Sequence, residues 1–139
     1  TARTVAGVAP GDRGKLERWR RIVREAAEQS GRGRVPEVAP PLGFGEACRL
    51  AAGMDHALIP WEGERARGLR ATLDELVAAG PVASLALFIG PEGGFTPEEI
   101  AEAQGHDIRP VTLGPRVLRA DTAATVALAL ALAALGDLD

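Results

Sequence analysis

The most informative segment for the fold is Leu85-Ala86-Leu87-Phe88-Ile89-Gly90-Pro91-Glu92-Gly93-Gly94-Phe95-Thr96-Pro97-Glu98-Glu99. Residues 84–89 are apolar in succession rather than in alternation, which indicates a strand covered on both faces in a mainly parallel sheet. A glycine-rich turn follows at 90–94. Residues 96–99 then supply an N-cap threonine, a proline at the first helical position and a capping-box glutamate, and they predict a helix through about Gly105. Such a sheet requires flanking helices.

Two more short strands are predicted, at 57–59 and 108–113. A helix that stops at Gly80-Pro81 separates the first of them from residues 84–89. After the last strand, either residue of the pair Asp121-Thr122 is expected to cap a terminal helix. The alternation of strands with helices makes the chain an α/β protein.

The first third of the chain predicts two helices joined by an extended, glycine- and proline-rich connection at 31–43. The first helix is amphipathic and ends near Ser30-Gly31, and the second runs from about Gly45 to Ala52. The apolar face of the first is expected to consist of Leu16, Trp19, Ile22, Val23 and Ala26. The second helix is expected to bury Phe44, Ala47, Cys48 and either Leu50 or Ala51.

Composition limits the classes of function. The 139 residues carry 16 basic and 19 acidic side chains, a formal charge of −3, so the basic excess of most duplex-coating proteins is absent. Cys48 is the only cysteine, which excludes an intrachain disulfide and zinc-finger spacing and predicts a small core residue. The apolar run 123–135 is too short and too alanine-rich for a membrane span and predicts a buried helix. No leader pattern opens the sequence, so a cytoplasmic location is expected.

Glycine-rich turns between a strand and a helix suit three ligands: a nucleoside triphosphate, a dinucleotide or another adenosine compound such as S-adenosylmethionine. A phosphate-cradling loop needs lysine and serine or threonine after its last glycine, but Phe95-Thr96 follows Gly94. The turn also lacks the spacing of a dinucleotide fingerprint, and Glu92 would repel a pyrophosphate. A ligand with a sulfonium, an amine and an adenine edge fits better.

Several motifs, read together, resemble one family. They are Arg24-Glu25-Ala26-Ala27-Glu28-Gln29-Ser30-Gly31-Arg32, then Arg34-Val35-Pro36, then Phe88-Ile89-Gly90-Pro91-Glu92-Gly93-Gly94-Phe95, and Leu113-Gly114-Pro115-Arg116-Val117-Leu118-Arg119-Ala120-Asp121-Thr122-Ala123. In this order they are similar to the RsmE family, the uridine-N3 methyltransferases of 16S ribosomal RNA from the small subunit, within the SPOUT superfamily.

The resemblance implies a SPOUT-type parallel sheet flanked by helices, with a C-terminal deep trefoil knot. It also implies a homodimer that binds S-adenosylmethionine in the knot loops, with no metal and no membrane. The cofactor would be held mostly by backbone groups. The residues carried over are Leu58, Ile59 and Pro60 from the first loop, Phe88, Ile89, Gly90, Gly93 and Gly94 from the second, and Leu113, Gly114, Val117 and Leu118 from the third.

Catalysis requires positioning of the methyl acceptor and removal of its proton. Arg119 and Arg116 are candidates for stabilising the uridine anion or holding an RNA phosphate, and Glu92 is a weaker candidate for orienting the cofactor or accepting the proton. A competing interpretation of Arg119 is an ion pair with Asp121 at the helix start. Contact with RNA is expected from Arg24, Gln29, Ser30, Arg32 and Arg34, although a helix C-cap built on Gly31 competes with that role.

Family proteins carry an N-terminal PUA-like RNA-binding domain, followed by a first strand and helix of the methyltransferase domain. Residues 1–139 are expected to be the methyltransferase domain alone, without that strand, helix or PUA-like domain. The alternatives are a knotted dimerisation or RNA-docking module without turnover, and a SPOUT enzyme that acts on transfer RNA.

Overall fold

A computed structural model describes residues 3–4 and 13–138. The chain divides into two compact units, Thr1–Ala47 and Cys48–Asp139. The first contains β1 (Arg3–Thr4), α1 (Arg13–Gln29) and β2 (Glu37–Val38), and α2 (Phe44–Ala51) spans the boundary. The remaining helices and strands lie in the second unit.

In the first unit, β1 and β2 form a parallel pair, so a two-residue strand interrupts the connection that was predicted to be extended. The Nε of Arg20 donates to the carbonyl of Val38 at 3.2 Å, which ties α1 to β2. The helix ends where predicted, with Gly31 in the left-handed region at φ +67°. The amide of Arg32 donates to the carbonyl of Ala27 at 3.0 Å, as in a Schellman cap.

The covered stripe of α1 differs from the prediction at Ile22 and Ala26. Ala27 is buried, whereas Ala26 is exposed and Ile22 keeps 47% of its surface exposed. The covered positions are 16, 19, 23 and 27, which follow a narrower row of three- and four-residue steps. In α2, Ala51 is buried and Leu50 is exposed, so the second of the two predicted alternatives is correct.

The second unit is built on a three-stranded parallel sheet of β3 (His56–Pro60), β4 (Leu85–Leu87) and β5 (Arg109–Val111). The strand order is β4-β3-β5. Leu58 pairs with Leu87 on one side and with Arg109 on the other. The helices of this unit are α3 (Leu69–Ala79), α4 (Pro97–Gly105) and α5 (Ala120–Ala134). The predicted α/β class, a parallel sheet with helices beside it, is confirmed.

The core of this unit lies between the sheet and the helices α3 and α5. Its buried members come from β3, α3, β5 and α5, and several half-buried residues pack against them. The buried members are Leu58, Leu69, Leu73, Leu76, Val111, Ala127 and Ala131. The alanine-rich α5 packs against α3, but only Ala127 and Ala131 of this helix are buried, and Leu128 keeps 51% of its surface exposed. The helix that was predicted to be buried is therefore covered on one face only, and it begins at Ala120 rather than Ala123.

The strand β4 is less covered than predicted. Residues 84–90 are half-buried rather than buried on both faces. Among the described residues β4 stands at an edge of the sheet, with β3 on one side only. Leu85, Leu87 and Ile89 pack against the core cluster. An edge position leaves the strand partly open to water.

The N-cap predicted for α4 is correct, and the N-cap predicted for α5 is not. At α4 the predicted capping box is present: the Oγ1 of Thr96 accepts from the amide of Glu99 at 3.2 Å, and the Thr96 amide donates to the Glu99 carboxylate at 2.9 Å. At α5 the predicted cap is wrong, because Arg119 occupies the N-cap with extended backbone and no side-chain cap bond. Asp121 is already helical, and its Oδ1 accepts from the amide of Thr122 at 2.9 Å.

Cys48 is fully buried, as expected for a core residue. Burial raises the pKa of its thiol, and the nearby Glu102 carboxylate raises that pKa further. A thiol that stays protonated is a poor nucleophile, which supports a packing role. Within residues 13–138, none of the helices combines the length and apolar character that a membrane crossing needs.

Candidate active site

The three loops that follow β3, β4 and β5 meet at one edge of the sheet. Parallel strands place their carboxyl ends together, and this edge is where α/β folds bind ligands. Two backbone hydrogen bonds join the loop starts to the strands. The amide of Phe88 donates to the carbonyl of Leu58 at 2.9 Å, and the amide of Trp61 donates to the carbonyl of Val111 at 2.9 Å. The start of the loop after β4 is thus bonded to β3, and the start of the loop after β3 is bonded to β5.

The loop after β4 is a tight turn whose glycines have distinct roles. Gly94 lies in the left-handed region at φ +72°, and its amide donates to the carbonyl of Pro91 at 2.9 Å. A Cβ at Gly90 would lie 3.0 Å from the ring of Phe95, so that position allows close approach of the ring. A Cβ at Gly93 would meet nothing within 4 Å. The space beside Gly93 is therefore open to a ligand.

The loop after β3 approaches this turn through an acidic side chain. A Cβ built at Gly94 would lie 3.8 Å from Oε1 of Glu62. The carboxylate of Glu62 therefore stands beside the glycine turn, in a position that the sequence did not predict. It adds a negative charge where the first two loops meet.

The loop after β5 turns at Gly114, which has φ +119°. The hydroxyl of Thr112 accepts from the Gly114 amide at 3.2 Å and donates to the Gly114 carbonyl at 3.1 Å. A Cβ at Gly114 would meet nothing within 4 Å, so this turn also opens onto free space. Val117 is 79% exposed, while Leu113 packs against the core cluster.

All twelve residues predicted to hold the cofactor lie on these three strand ends and loops. The side chains of Leu58 and Ile59 are buried, and the backbone carbonyl of Leu58 accepts from the Phe88 amide. The half-buried positions are Pro60, Phe88, Ile89, Gly90, Gly94, Leu113 and Leu118. The exposed positions are Gly93, Gly114 and Val117.

The predicted catalytic side chains are all exposed. Arg119 makes the ion pair that the competing interpretation expected, with 3.5 Å between its Nε and Oδ1 of Asp121. The two side chains keep 82% and 72% of their surface exposed, so water screens this pair strongly. Arg116 and Glu92 are also exposed, in the third and second loops. Little holds the Arg119 guanidinium in its present orientation.

The five residues predicted to contact RNA are exposed and belong to the first unit. The hydroxyl of Ser30 donates to the carbonyls of Ala26 at 2.8 Å and Ala27 at 3.2 Å. Together with the Gly31 cap, these bonds give Ser30 a structural part at the end of α1. The other four are Arg24, Gln29, Arg32 and Arg34.

The contacts of residues 61–69 were not predicted from the sequence. Oε1 of Glu64 accepts from the amides of Ala66 at 2.7 Å and Arg67 at 3.1 Å. The amide of Thr112 donates to the carbonyl of Arg67 at 2.8 Å, and the amide of Leu69 donates to the carbonyl of Thr112 at 2.9 Å. Only the bonds of Glu64 to the amides of Ala66 and Arg67 join residues that are close in sequence. The bonds to Thr112 join remote residues and leave no local pattern in the sequence.

Glu64 is expected to make stability depend on pH. The amides of Ala66 and Arg67 hold the pKa of its carboxyl below the ordinary value of 4.5. A lowered pKa in the folded state means that the ionised carboxylate stabilises the fold above pH 4.5, and that this stabilisation is lost as the pH falls through the folded-state pKa. Urea unfolding of the wild type and Glu64→Gln should therefore give a difference in stability that is constant near neutrality and shrinks below pH 4.5. A difference independent of pH would contradict this account.

Within the part of the chain that the structure describes, no three His, Cys, Asp or Glu side chains are grouped so as to hold a metal ion.

The sequence matches a family described as the RNA methyltransferase domain over residues 1–132. The chain belongs to this family. It is 47% identical over 116 residues to the ribosomal RNA small subunit methyltransferase E of Synechocystis, covering 83% of this chain and 37% of that protein. Against the same enzyme from Bacillus subtilis it is 36% identical over 115 residues, covering 82% and 45%. The resemblance to the RsmE family is confirmed, and the chain spans less than half the length of these two relatives.

Solved structures agree with this assignment. A putative methyltransferase from Legionella pneumophila, in complex with the bound cofactor SAM, is 34% identical with a TM-score of 0.71, covering 94% of this chain and 51% of that one. A ribosomal RNA small subunit methyltransferase E from Neisseria gonorrhoeae, bound to S-adenosyl methionine, is 29% identical with a TM-score of 0.64, covering 94% and 53%.

Proposed function

We propose that residues 1–139 form the catalytic domain of an S-adenosylmethionine-dependent methyltransferase that acts on N3 of a uridine in 16S ribosomal RNA. The observation that carries the proposal is the meeting of three loops at the carboxyl edge of β4-β3-β5, with open space beside Gly93 and Gly114. Relatives named as methylating small-subunit ribosomal RNA support the substrate class.

The residues at this edge fit such a cofactor. Two of the loops turn on glycines without side chains, which leaves backbone amides and carbonyls accessible to an adenine edge and a carboxylate. Carboxylates from Glu62 and Glu92 lie on the first two loops and complement a sulfonium and an ammonium group. When bound, the cofactor supplies a methyl group already activated for transfer.

The chain itself has to hold the uridine and stabilise the charge that forms when N3 loses its proton. Arg119 and Arg116 are the proposed donors to that anion, because both guanidiniums are exposed on the third loop. Glu92 is the proposed proton acceptor or cofactor-orienting group. The weak ion pair with Asp121 leaves Arg119 able to turn toward substrate.

Further features of the proposal come from the family resemblance. They are the deep trefoil knot through the three loops, a homodimer, action in the cytoplasm, and RNA contact by Arg24, Gln29, Ser30, Arg32 and Arg34. Exposure of the four longer side chains in this group supports the RNA contact, while the bonds of Ser30 to the helix weaken its share.

Calorimetry with S-adenosylmethionine tests whether the chain binds this cofactor. Incubation of 16S ribosomal RNA with the chain and the cofactor, followed by digestion and mass spectrometry, identifies the methylated nucleotide. We expect saturable binding and the appearance of 3-methyluridine. A folded chain without any heat of binding would refute the cofactor assignment. A methylated ribose or guanine in 16S ribosomal RNA would instead identify a different acceptor, and methylation of transfer RNA in a parallel assay would identify a different substrate.

A further inference from the structure

Glu64 holds a turn in the loop that follows β3. Its carboxylate accepts from two successive amides, those of Ala66 and Arg67, and its own amide donates to the carbonyl of Trp61 at 3.1 Å. Hydrogen bonds to an ionised acceptor are stronger than neutral ones. The turn at 64–67 is therefore fixed by one side chain.

The turn pairs directly with the residue that follows β5. The amide of Thr112 donates to the carbonyl of Arg67, the carbonyl of Thr112 accepts from Leu69, and Gly68 forms a parallel bridge with Thr112. Both backbone groups of Thr112 are thus bonded to residues 67–69. The position of Thr112 depends on the shape of that segment.

Thr112 passes this constraint to the glycine turn of the third loop. Its hydroxyl bonds both the amide and the carbonyl of Gly114, two residues further on. Gly114 has a φ of +119°, a conformation that few residues adopt, so external bonds matter in holding it. A continuous set of bonds therefore links the carboxylate of Glu64 to Gly114.

We propose that Glu64 is a positioning residue for the cofactor site, acting through the backbone of Arg67 and through Thr112 on the turn at Gly114. This inference rests on the proposed function, since the turn at Gly114 is a proposed wall of the S-adenosylmethionine site. Glu64 itself touches neither cofactor nor substrate. Its part is to fix the third loop before the ligand arrives, which lowers the ordering cost of binding.

Calorimetry with S-adenosylmethionine on three variants tests the proposal. Glu64→Ala removes the acceptor and is expected to raise Kd about tenfold, as for loss of hydrogen bonds to a charged group. Glu64→Gln keeps an acceptor oxygen at the same reach and should restore affinity to within about twofold. Glu75→Ala, which removes an exposed glutamate from α3, is the matched control and should bind as the wild type does.

Thr112 provides the second arm. Thr112→Val loses the hydroxyl, Thr112→Ser keeps it, and only the valine should weaken binding. If the two residues act in one path, Glu64→Ala combined with Thr112→Val should weaken binding by less than the product of the single effects. Strict additivity, or an unchanged Kd in Glu64→Ala, would overturn the proposal.

Amide hydrogen exchange in the ligand-free chain separates this inference from the proposed function. Glu64→Ala should speed exchange at the Gly114 amide clearly, and Glu64→Gln, which keeps a neutral acceptor, should speed it less. Faster exchange in a chain that binds no S-adenosylmethionine would refute the proposed function and leave the coupling intact. Unchanged exchange with normal cofactor binding by the wild type would refute the coupling alone.

Discussion

Gly93→Val is expected to abolish measurable binding of S-adenosylmethionine while the melting temperature of the chain stays unchanged. A Cβ at Gly93 would meet nothing within 4 Å, and Gly93 is not among the glycines with positive φ, so the fold tolerates a side chain there. The proposed cofactor would occupy that same space. A branched side chain inside an occupied pocket should weaken binding roughly 100-fold or more.

Gly105→Val is the matched control for this substitution. Gly105 ends α4 just ahead of β5, and a Cβ there also meets nothing within 4 Å. It lies near the amino end of β5, away from the three loops. Normal binding by Gly93→Val would place the cofactor elsewhere, while equal loss in Gly105→Val would show that the effect is not specific to the site.

Arg119→Ala is expected to lower kcat for RNA methylation about 100- to 1,000-fold, the range found when one donor to a developing anion is removed. The affinity for S-adenosylmethionine should not change, because the proposed contact is with uridine. Stability should also hold, since the ion pair with Asp121 at 3.5 Å is largely in water. Single-turnover assays with saturating cofactor and 16S ribosomal RNA give the rate directly.

Arg70→Ala is a suitable comparison, because Arg70 forms a similarly exposed ion pair with Asp74 at 3.9 Å on α3. It should methylate RNA at the wild-type rate. If Arg119→Ala also keeps the wild-type kcat, Arg119 has no catalytic role and serves only in the ion pair with Asp121. Arg116 would then be the remaining candidate for stabilising the anion.

Local signals in the sequence predicted local structure well. The cap of α4 depends on Thr96, Pro97 and Glu99, which are close neighbours, so its bonds could be read from the chain. The predicted start of α5 was wrong because Asp121 is a residue type that often caps helices, but its backbone is already helical here. Sequence type alone does not determine which residue takes the extended conformation before a helix.

The glycine turns of the candidate site were predicted, but the bonds that fix them were not. Thr112 binds residues 67–69, and Glu62 approaches Gly94, through contacts between loops that are remote in sequence. Such contacts exist only after the strands are ordered as β4-β3-β5. The partial burial of β4 could not be predicted for the same reason, because the order of the strands in the sheet, and not the sequence of β4, places this strand at an edge.

The pairing of Thr112 with residues 67–69 also determines when the site can form during folding. These partners lie about 45 positions apart, and contacts of such separation form late because loop closure costs entropy before any bond is made. The turn at Gly114 then takes its final shape only after β5 has docked beside β3. Competence to bind the cofactor should therefore be acquired in the last steps of folding, together with the closure of the sheet.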